Sequence, residues 1–349
     1  MILLHERWFI DSSPYPVDWA SALHRGPLLA TATAIAVTAL AAVFWRVSRR
    51  NPIVSGPAAL GADDQALAIL YGAVPAILAM HLAVPLVVSG INLELFVPNL
   101  VLREPGTVPL QSPFAAAAAV LQIGIALALF YGAFTRAAVL ALLALWIAGA
   151  VRFGPILLLE HAIIPGIALT LWLTGRGPFA VDALLGARFG RPRAAWLEQA
   201  FTPLRIGAGL SLAILALTEK LWNLPLGLAF LQRYPVNFLA ALGLPVNDEA
   251  FLLLAGTVEL TAGLLLLTNT YVRVGIVALW LPFNLTLAAF GWKELVGHLP
   301  VYGAMAVLAL WGAGNAADAR ALRRGLLQRP VLFGDSPPQE TSGRPEGVV

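Results

Sequence analysis

The chain has 349 residues, of which 59% are hydrophobic and only 12% charged, with a mean hydropathy of +0.80; soluble domains carry about 25% charged residues. A 37.0 kDa water-soluble core has no use for that much apolar surface, so the excess faces lipid. This excludes a secreted disulfide scaffold, a disordered chain and a nucleic-acid-binding domain. The absence of cysteine removes thiol–disulfide exchange, iron–sulfur clusters and thiolate zinc sites, and the formal net charge of +3 matters less than where the arginines sit.

In chain order, the opening stretch with Trp8, Phe9, Tyr15 and Trp19 reads as an outer interfacial segment, because Trp and Tyr favour the headgroup level. Glu6, Asp11 and Asp18, with no basic n-region, argue against a cleavable signal. Nine apolar runs then approach the roughly 17 to 25 residues that cross a bilayer core. They span 28–45, 66–88, 114–133, 137–151, 156–173, 204–224, 250–268, 274–290 and 299–313. Prolines 75, 85, 165 and 282 lie inside them, where kinks are expected. With the N-terminus outside, fifteen basic residues fall on the inner side and six on the outer, which predicts an N-out, C-in topology.

Shifting the chain by 137 residues places Arg136 on Arg273, Phe153-Gly154 on Phe290-Gly291, His161 on His298, Gly166 on Gly303 and Gln122 on Glu259. About 13 of the 59 positions from 115 to 173 are identical under this shift. The expected fold is therefore an all-α polytopic bundle of about nine spans, one helix plus two four-helix repeats in parallel orientation. The predicted organisation is an outer segment, first helix and basic inside loop (1–63), repeat 1 (64–175), a basic inside linker (176–204), repeat 2 (205–314) and a basic, largely disordered inside tail (315–349).

Repeat 2 contains Arg205-Ile-Gly-Ala-Gly-Leu, Glu219-Lys220-Leu221, Leu242-Gly-Leu-Pro245, Gly256-Thr-Val-Glu259-Leu-Thr-Ala-Gly263-Leu-Leu-Leu-Leu and Arg273. In this order and over about 110 residues, the stretch resembles the DoxX family (DoxX/DoxD-like integral membrane proteins) of four-helix units. The chain then reads as a tandem duplication of that unit, with repeat 1 a degenerate copy in which Gln122 stands where the family has glutamate.

An ionisable group at membrane depth is a functional candidate by default. Glu259 sits about nine residues into its helix, roughly 13 Å deep at about 1.5 Å per residue. Its natural partner is Lys220, and the two are the candidate catalytic pair; a helix-packing ion pair, or a Lys220 that snorkels to the interface, stays open. Glu219, Asn284, His298, His161 and His81 are candidate ligand-binding residues. As sequence neighbours, Glu219 and Lys220 are expected to point in different directions. The polar residues concentrate in the outer half, which argues against a through-channel and for a one-sided pocket opening outwards. No Walker loop, dinucleotide-binding loop, nucleophile elbow or metal-ligand spacing is present, and Arg136, Arg205 and Arg273 are expected to anchor inner-leaflet phosphates.

The resemblance implies a membrane component of electron transfer, of the kind associated with thiosulfate:quinone oxidoreductase. Its cofactor would be a quinone near Glu259 and Lys220. Its partners would be the lipid bilayer and an outer-face redox protein or small reductant, with no nucleic acid. Its location would be the plasma membrane of a bacterium, as a multi-pass protein. The residues alone leave a second class open, a non-catalytic scaffold or lipophilic-ligand-handling protein.

Overall fold

The computed structural model describes residues 5–48, 53–102, 112–185 and 192–327. Fourteen helices form in chain order among these residues: α1 Arg25–Ser48, α2 Asp64–Ile91, α3 Pro113–Tyr131, α4 Thr135–Phe153, α5 Pro155–Leu159, α6 Ile163–Thr174, α7 Val181–Leu184, α8 Thr202–Leu215, α9 Leu224–Arg233, α10 Phe238–Ala241, α11 Asp248–Leu267, α12 Val272–Phe290, α13 Trp292–Trp311 and α14 Ala316–Leu327. They include no strand. Eight helical segments, one of them Ala195–Leu221 with α8 at its centre, are long and apolar enough to cross a membrane, and α6 is a shorter apolar helix. Away from its ends a helix satisfies its backbone polar groups within itself, which is why this composition folds as helices in lipid. The chain is an all-α, multi-pass integral membrane protein.

The predicted runs and the helices coincide closely, apart from the ninth run, whose helix α13 already begins at Trp292, and from two further departures. The fifth run is broken into α5 and α6, and Glu160 and His161 occupy the break. There Ser211 Oγ accepts a hydrogen bond from the freed Ile163 amide at 2.9 Å. The sixth run continues from α8 into a π-helical turn, Ala216–Leu221, which carries Glu219 and Lys220. Pro75, Pro85 and Pro282 lie inside α2 and α12, which continue through them.

The 137-residue repeat is written into the backbone. Helix α4 maps onto α12 residue for residue, and α5 with α6 maps onto α13. Positive φ recurs at the same offset in the pairs Gly132 and Asn269, Phe134 and Tyr271, Gly154 and Gly291, Gly175 and Gly312, and Gly177 and Gly314. Phe134 and Tyr271 are not glycines, so their left-handed backbone at matching N-caps marks a conformation the fold imposes twice. The repeats pack reciprocally, the last helix of each on the first of the other: α6 lies on α8 and α13 on α2. Gly166 and Gly207 bring α6 and α8 so close that an added Cβ on either would meet backbone. Helix α1 packs at the periphery on α11 through Ala30, Ala34 and Thr38.

At the end of the bundle remote from the N-terminal segment, Arg205 and Arg273, expected to anchor phosphates, and with them Arg176 bind helix carbonyls instead. Arg205 donates to the carbonyls of Leu266 and, at 2.9 Å, Leu267, the last residues of α11. Arg176 does the same at the end of α3, donating to Leu129 at 3.0 Å and Phe130 at 2.8 Å. Arg273 donates to Ala309, Leu310 and Trp311 at the end of α13. Each guanidinium satisfies carbonyls orphaned at a helix C-terminus and sits at the negative end of the helix dipole. Arg136 instead lies over the Trp172 ring, 5.7 Å from its centroid.

The expected disordered tail begins with structure. Residues 316–327 form α14, whose face with Ala321, Leu322 and Gly325 packs on α2, while Tyr71 Oη donates to Asp318 Oδ1 at 2.8 Å. Residues 328–349, and 186–191 of the expected linker, lie outside the described residues.

Candidate functional site

The site lies where the N-terminal segment meets both repeats. Residues 6–8 form one turn of 3-10 helix ahead of α1. That turn does not rest on the surface as its aromatic residues suggest. It inserts between the helices, burying His5, Glu6 and Trp8.

Lys220 is its central cation. The ammonium lies 3.2 Å from Glu259 Oε2 on α11 and 3.3 Å from Glu6 Oε1, and all three side chains are almost inaccessible. The Glu6 backbone amide donates to Glu219 Oε2 at 2.7 Å. Glu219 Oε1 stands 3.8 Å from Arg7 Nε, and Arg7 Nη1 donates to Glu160 Oε1 at 2.7 Å. Thr218 Oγ1 donates to the same Glu160 oxygen at 2.7 Å. A continuous line of charge thus runs from Glu259 through Lys220, Glu6, Glu219 and Arg7 to Glu160. Burying so many charges is tolerable only because each meets a partner. Glu219 and Lys220, expected to face apart, stand on the π-helical turn and are both buried in this line, Glu219 against the Glu6 amide and Arg7 and Lys220 against Glu6 and Glu259.

Beside the charges stand three imidazoles. The His5 ring stacks on Trp8 with centroids 4.0 Å apart, and lies 5.5 Å from His161 and 5.3 Å from His298. His298 Nδ1 is 3.2 Å from Glu294 Oε1. On the N-terminal segment, burial lowers the His5 pKa well below its ordinary value, and the nearby His298, His161, Lys220 and Arg7 push it the same way. Burial lifts the Glu6 carboxyl, while Lys220 pulls it down. Among the described residues no group of three His, Cys, Asp or Glu side chains converges as metal ligands.

Beneath this polar cap is a cavity of about 60 Å³ between the repeats. Its polar end is formed by His5, Glu160, His161, Glu259 and His298, and its walls by apolar side chains such as Leu86, Leu212, Leu279, Phe283 and Met305. Glu160 and Glu259 each have one carboxylate oxygen tied to the charge line and a second that is buried without a hydrogen-bond partner. His161 Nε2 is buried without a partner as well. At 60 Å³ the cavity admits a few waters, against about 300–1,000 Å³ for a pocket holding an organic ligand.

Of the residues singled out from sequence, Glu259, Lys220, Glu219, His161 and His298 come together here. Asn284 does not: it lies on the exposed face of α12, where its amide donates to Trp280 O at 2.8 Å. Neither does His81, whose Nδ1 lies 2.8 Å from Ile77 O on its own helix and whose ring packs against Gly303. The contributors that sequence reasoning missed are His5, Glu6, Arg7 and Trp8, together with Thr218 and Glu160. The signal available was the pair of opposite charges between two ring-bearing residues in the stretch His5-Glu-Arg-Trp8.

Repeat 1 keeps the position but not the chemistry. Gln122, equivalent to Glu259, is fully buried; its Oε1 accepts from the Phe96 amide at 2.9 Å, and its Nε2 donates to Leu86 O at 3.0 Å and Glu94 O at 3.2 Å. Its amide is consumed in holding the loop after α2, so among the described residues the charged constellation forms once, between the two repeats. Compared with protein-family models, curated proteins and solved structures, the chain matches none.

Proposed function

We propose that this protein binds a quinone-like lipophilic redox molecule at the cavity between its repeats, as the membrane component of a DoxX-type electron-transfer system. The observation that carries the reading is Glu259: one oxygen is held by Lys220, and the other is buried and unpartnered at the polar end of an apolar cavity. That arrangement suits a carboxyl that exchanges a proton with a ring oxygen, giving it up as a quinone takes electrons from the outer-face donor and accepting it back from a hydroquinone, while the apolar walls take the ring and tail. Lys220 holds the carboxylate in place, its ammonium 3.2 Å from Glu259 Oε2. Electrons would be exchanged with an outer-face redox partner or small reductant, and the plasma membrane is the expected location.

The test is mass spectrometry of the organic extract from protein purified in native lipid discs, comparing wild type with Glu259→Gln. A near-stoichiometric quinone in the wild type that falls in the variant supports the reading. Quinone at the level of the surrounding lipid in both overturns it.

One observation favours the second reading, a non-catalytic scaffold or lipophilic-ligand-handling protein. Each charged side chain of the line meets another across it and the cavity is small, so the same residues serve as a buried lock between the N-terminal segment and the two repeats.

A further inference from the structure

The cavity is small because part of the chain is in it. His5 and Trp8 line it, stacked as a pair of planar rings 4.0 Å apart. Trp8 fills a notch on α13 where residue 297 is glycine; a Cβ there would overlap the indole. The segment that carries these rings spans no membrane, and its Trp8 is fastened from outside the cavity by two contacts. Trp8 Nε1 donates to Asn99 Oδ1 at 3.1 Å, and Lys293 Nζ donates to Trp8 O.

The segment also answers the site's chemistry. It supplies the Arg7 guanidinium to Glu160 and the Glu6 amide to Glu219. Without it, the carboxylates of Glu160, Glu219 and Glu259 would face, among the described residues, the Lys220 ammonium, the Thr218 hydroxyl and the ring N–H groups of His161 and His298. Acceptors would then outnumber donors in a buried place, where an unanswered acceptor is costly. Whatever replaces the segment must therefore bring planar apolar bulk and hydrogen-bond donors together. A quinone has carbonyl oxygens and no donor; its reduced form, a hydroquinone, has two hydroxyls.

Resting on the quinone reading above, we infer that His5–Trp8 is an internal occupant of the ligand site, displaced by the reduced, hydroxyl-bearing form of the ligand in preference to the oxidised form. The site is thus closed when empty and opens for a donor-bearing ring.

The experiment uses the full chain in lipid discs with a short-chain hydroquinone and the matching quinone as probes. Equilibrium binding and amide hydrogen exchange over residues 5–10 are measured for wild type and Asn99→Ala. Asn99 does not line the cavity, and its substitution removes one fastening worth about 2- to 12-fold in an equilibrium. The expected result is hydroquinone binding tightened by about that factor in Asn99→Ala, weaker binding of the quinone by about tenfold or more, and loss of exchange protection over residues 5–10 when hydroquinone is added. Lys293→Ala, which loosens the other fastening, should act in the same direction. Unchanged or weakened hydroquinone binding in both variants, or protection that rises with ligand, overturns the displacement while leaving the quinone reading standing. Equal affinity for the two redox forms overturns the donor argument. Binding of neither form to any of the proteins overturns the quinone reading, and this inference with it.

Discussion

Replacing Lys220 by Met is the severest single test of the charge line. The ammonium sits 3.2 Å from Glu259 and 3.3 Å from Glu6, with all three side chains nearly inaccessible. At an effective dielectric constant of about 20, each contact at this separation is worth about 5 kcal/mol of gross attraction. Desolvation offsets most of it, so the net worth of the lysine is far smaller than that sum. The cost of removing it alone is another matter, because two carboxylates are then left buried without their cation, a loss of about 3–5 kcal/mol. Met fills a similar volume and leaves no large void. Removing the stranded charges as well, in Lys220→Met/Glu259→Gln/Glu6→Gln, should recover most of the loss, to within about 1–2 kcal/mol of wild type. The assay is equilibrium unfolding in mild detergent at pH 8. A single variant that loses less than about 1 kcal/mol, or a triple variant no more stable than the single one, would refute the claim that Lys220 neutralises both carboxylates.

Other consequences follow from the same geometry. Gly297→Ala should unseat the Trp8 ring at a cost of about 1–3 kcal/mol, seen as lost exchange protection over residues 5–10 while α2 and α11 stay protected; unchanged protection would contradict the notch. Arg273→Leu removes three hydrogen bonds to the end of α13 and should destabilise by about 2–3 kcal/mol, equally in anionic and zwitterionic lipid; a loss confined to anionic lipid would restore the phosphate-anchor reading. Burial lowers the His5 pKa, so its contribution to stability is present above about pH 6.5, the ordinary imidazole value, and is lost as the pH falls below it. The unfolding midpoint should accordingly drop from pH 7 to pH 5, and His5→Phe should flatten that slope; an unaltered slope in the variant would rule His5 out as its source. A cysteine at the exposed Ser13 should react with an impermeant maleimide on intact cells and one at Ala317 should not; the reverse would invert the topology.

The spans were legible because lipid imposes one pattern on every crossing segment, and the repeat because 137 residues separate matching Arg, Phe-Gly, His and Gly positions. Five pairs of positive φ at that offset carry the repeat into the backbone. The Lys220 and Glu259 contact followed from the rule that a charge at depth seeks an opposite charge. What sequence did not convey was the inward turn of residues 5–8. A mixture of charged and aromatic types reads as interfacial, and only the carboxylates of Glu160 and Glu219 on remote elements make its burial favourable. Asn284 shows the opposite limit: correct depth does not fix which way a helix faces, and α12 turns this residue outward with Leu281 and Leu285. The arginines at the helix ends were misread because a basic residue beside a span suits a lipid phosphate and a helix carbonyl end equally well.

The most direct test of the central claim is photocrosslinking with an azido-quinone, followed by mass mapping of the labelled residues in protein held in lipid discs. The site described here predicts label on Leu212, Phe283 and Met305, suppressed by excess unmodified quinone and reduced in Glu259→Gln. Label confined to lipid-facing residues such as Leu40 and Leu281, and insensitive to competitor, would contradict it.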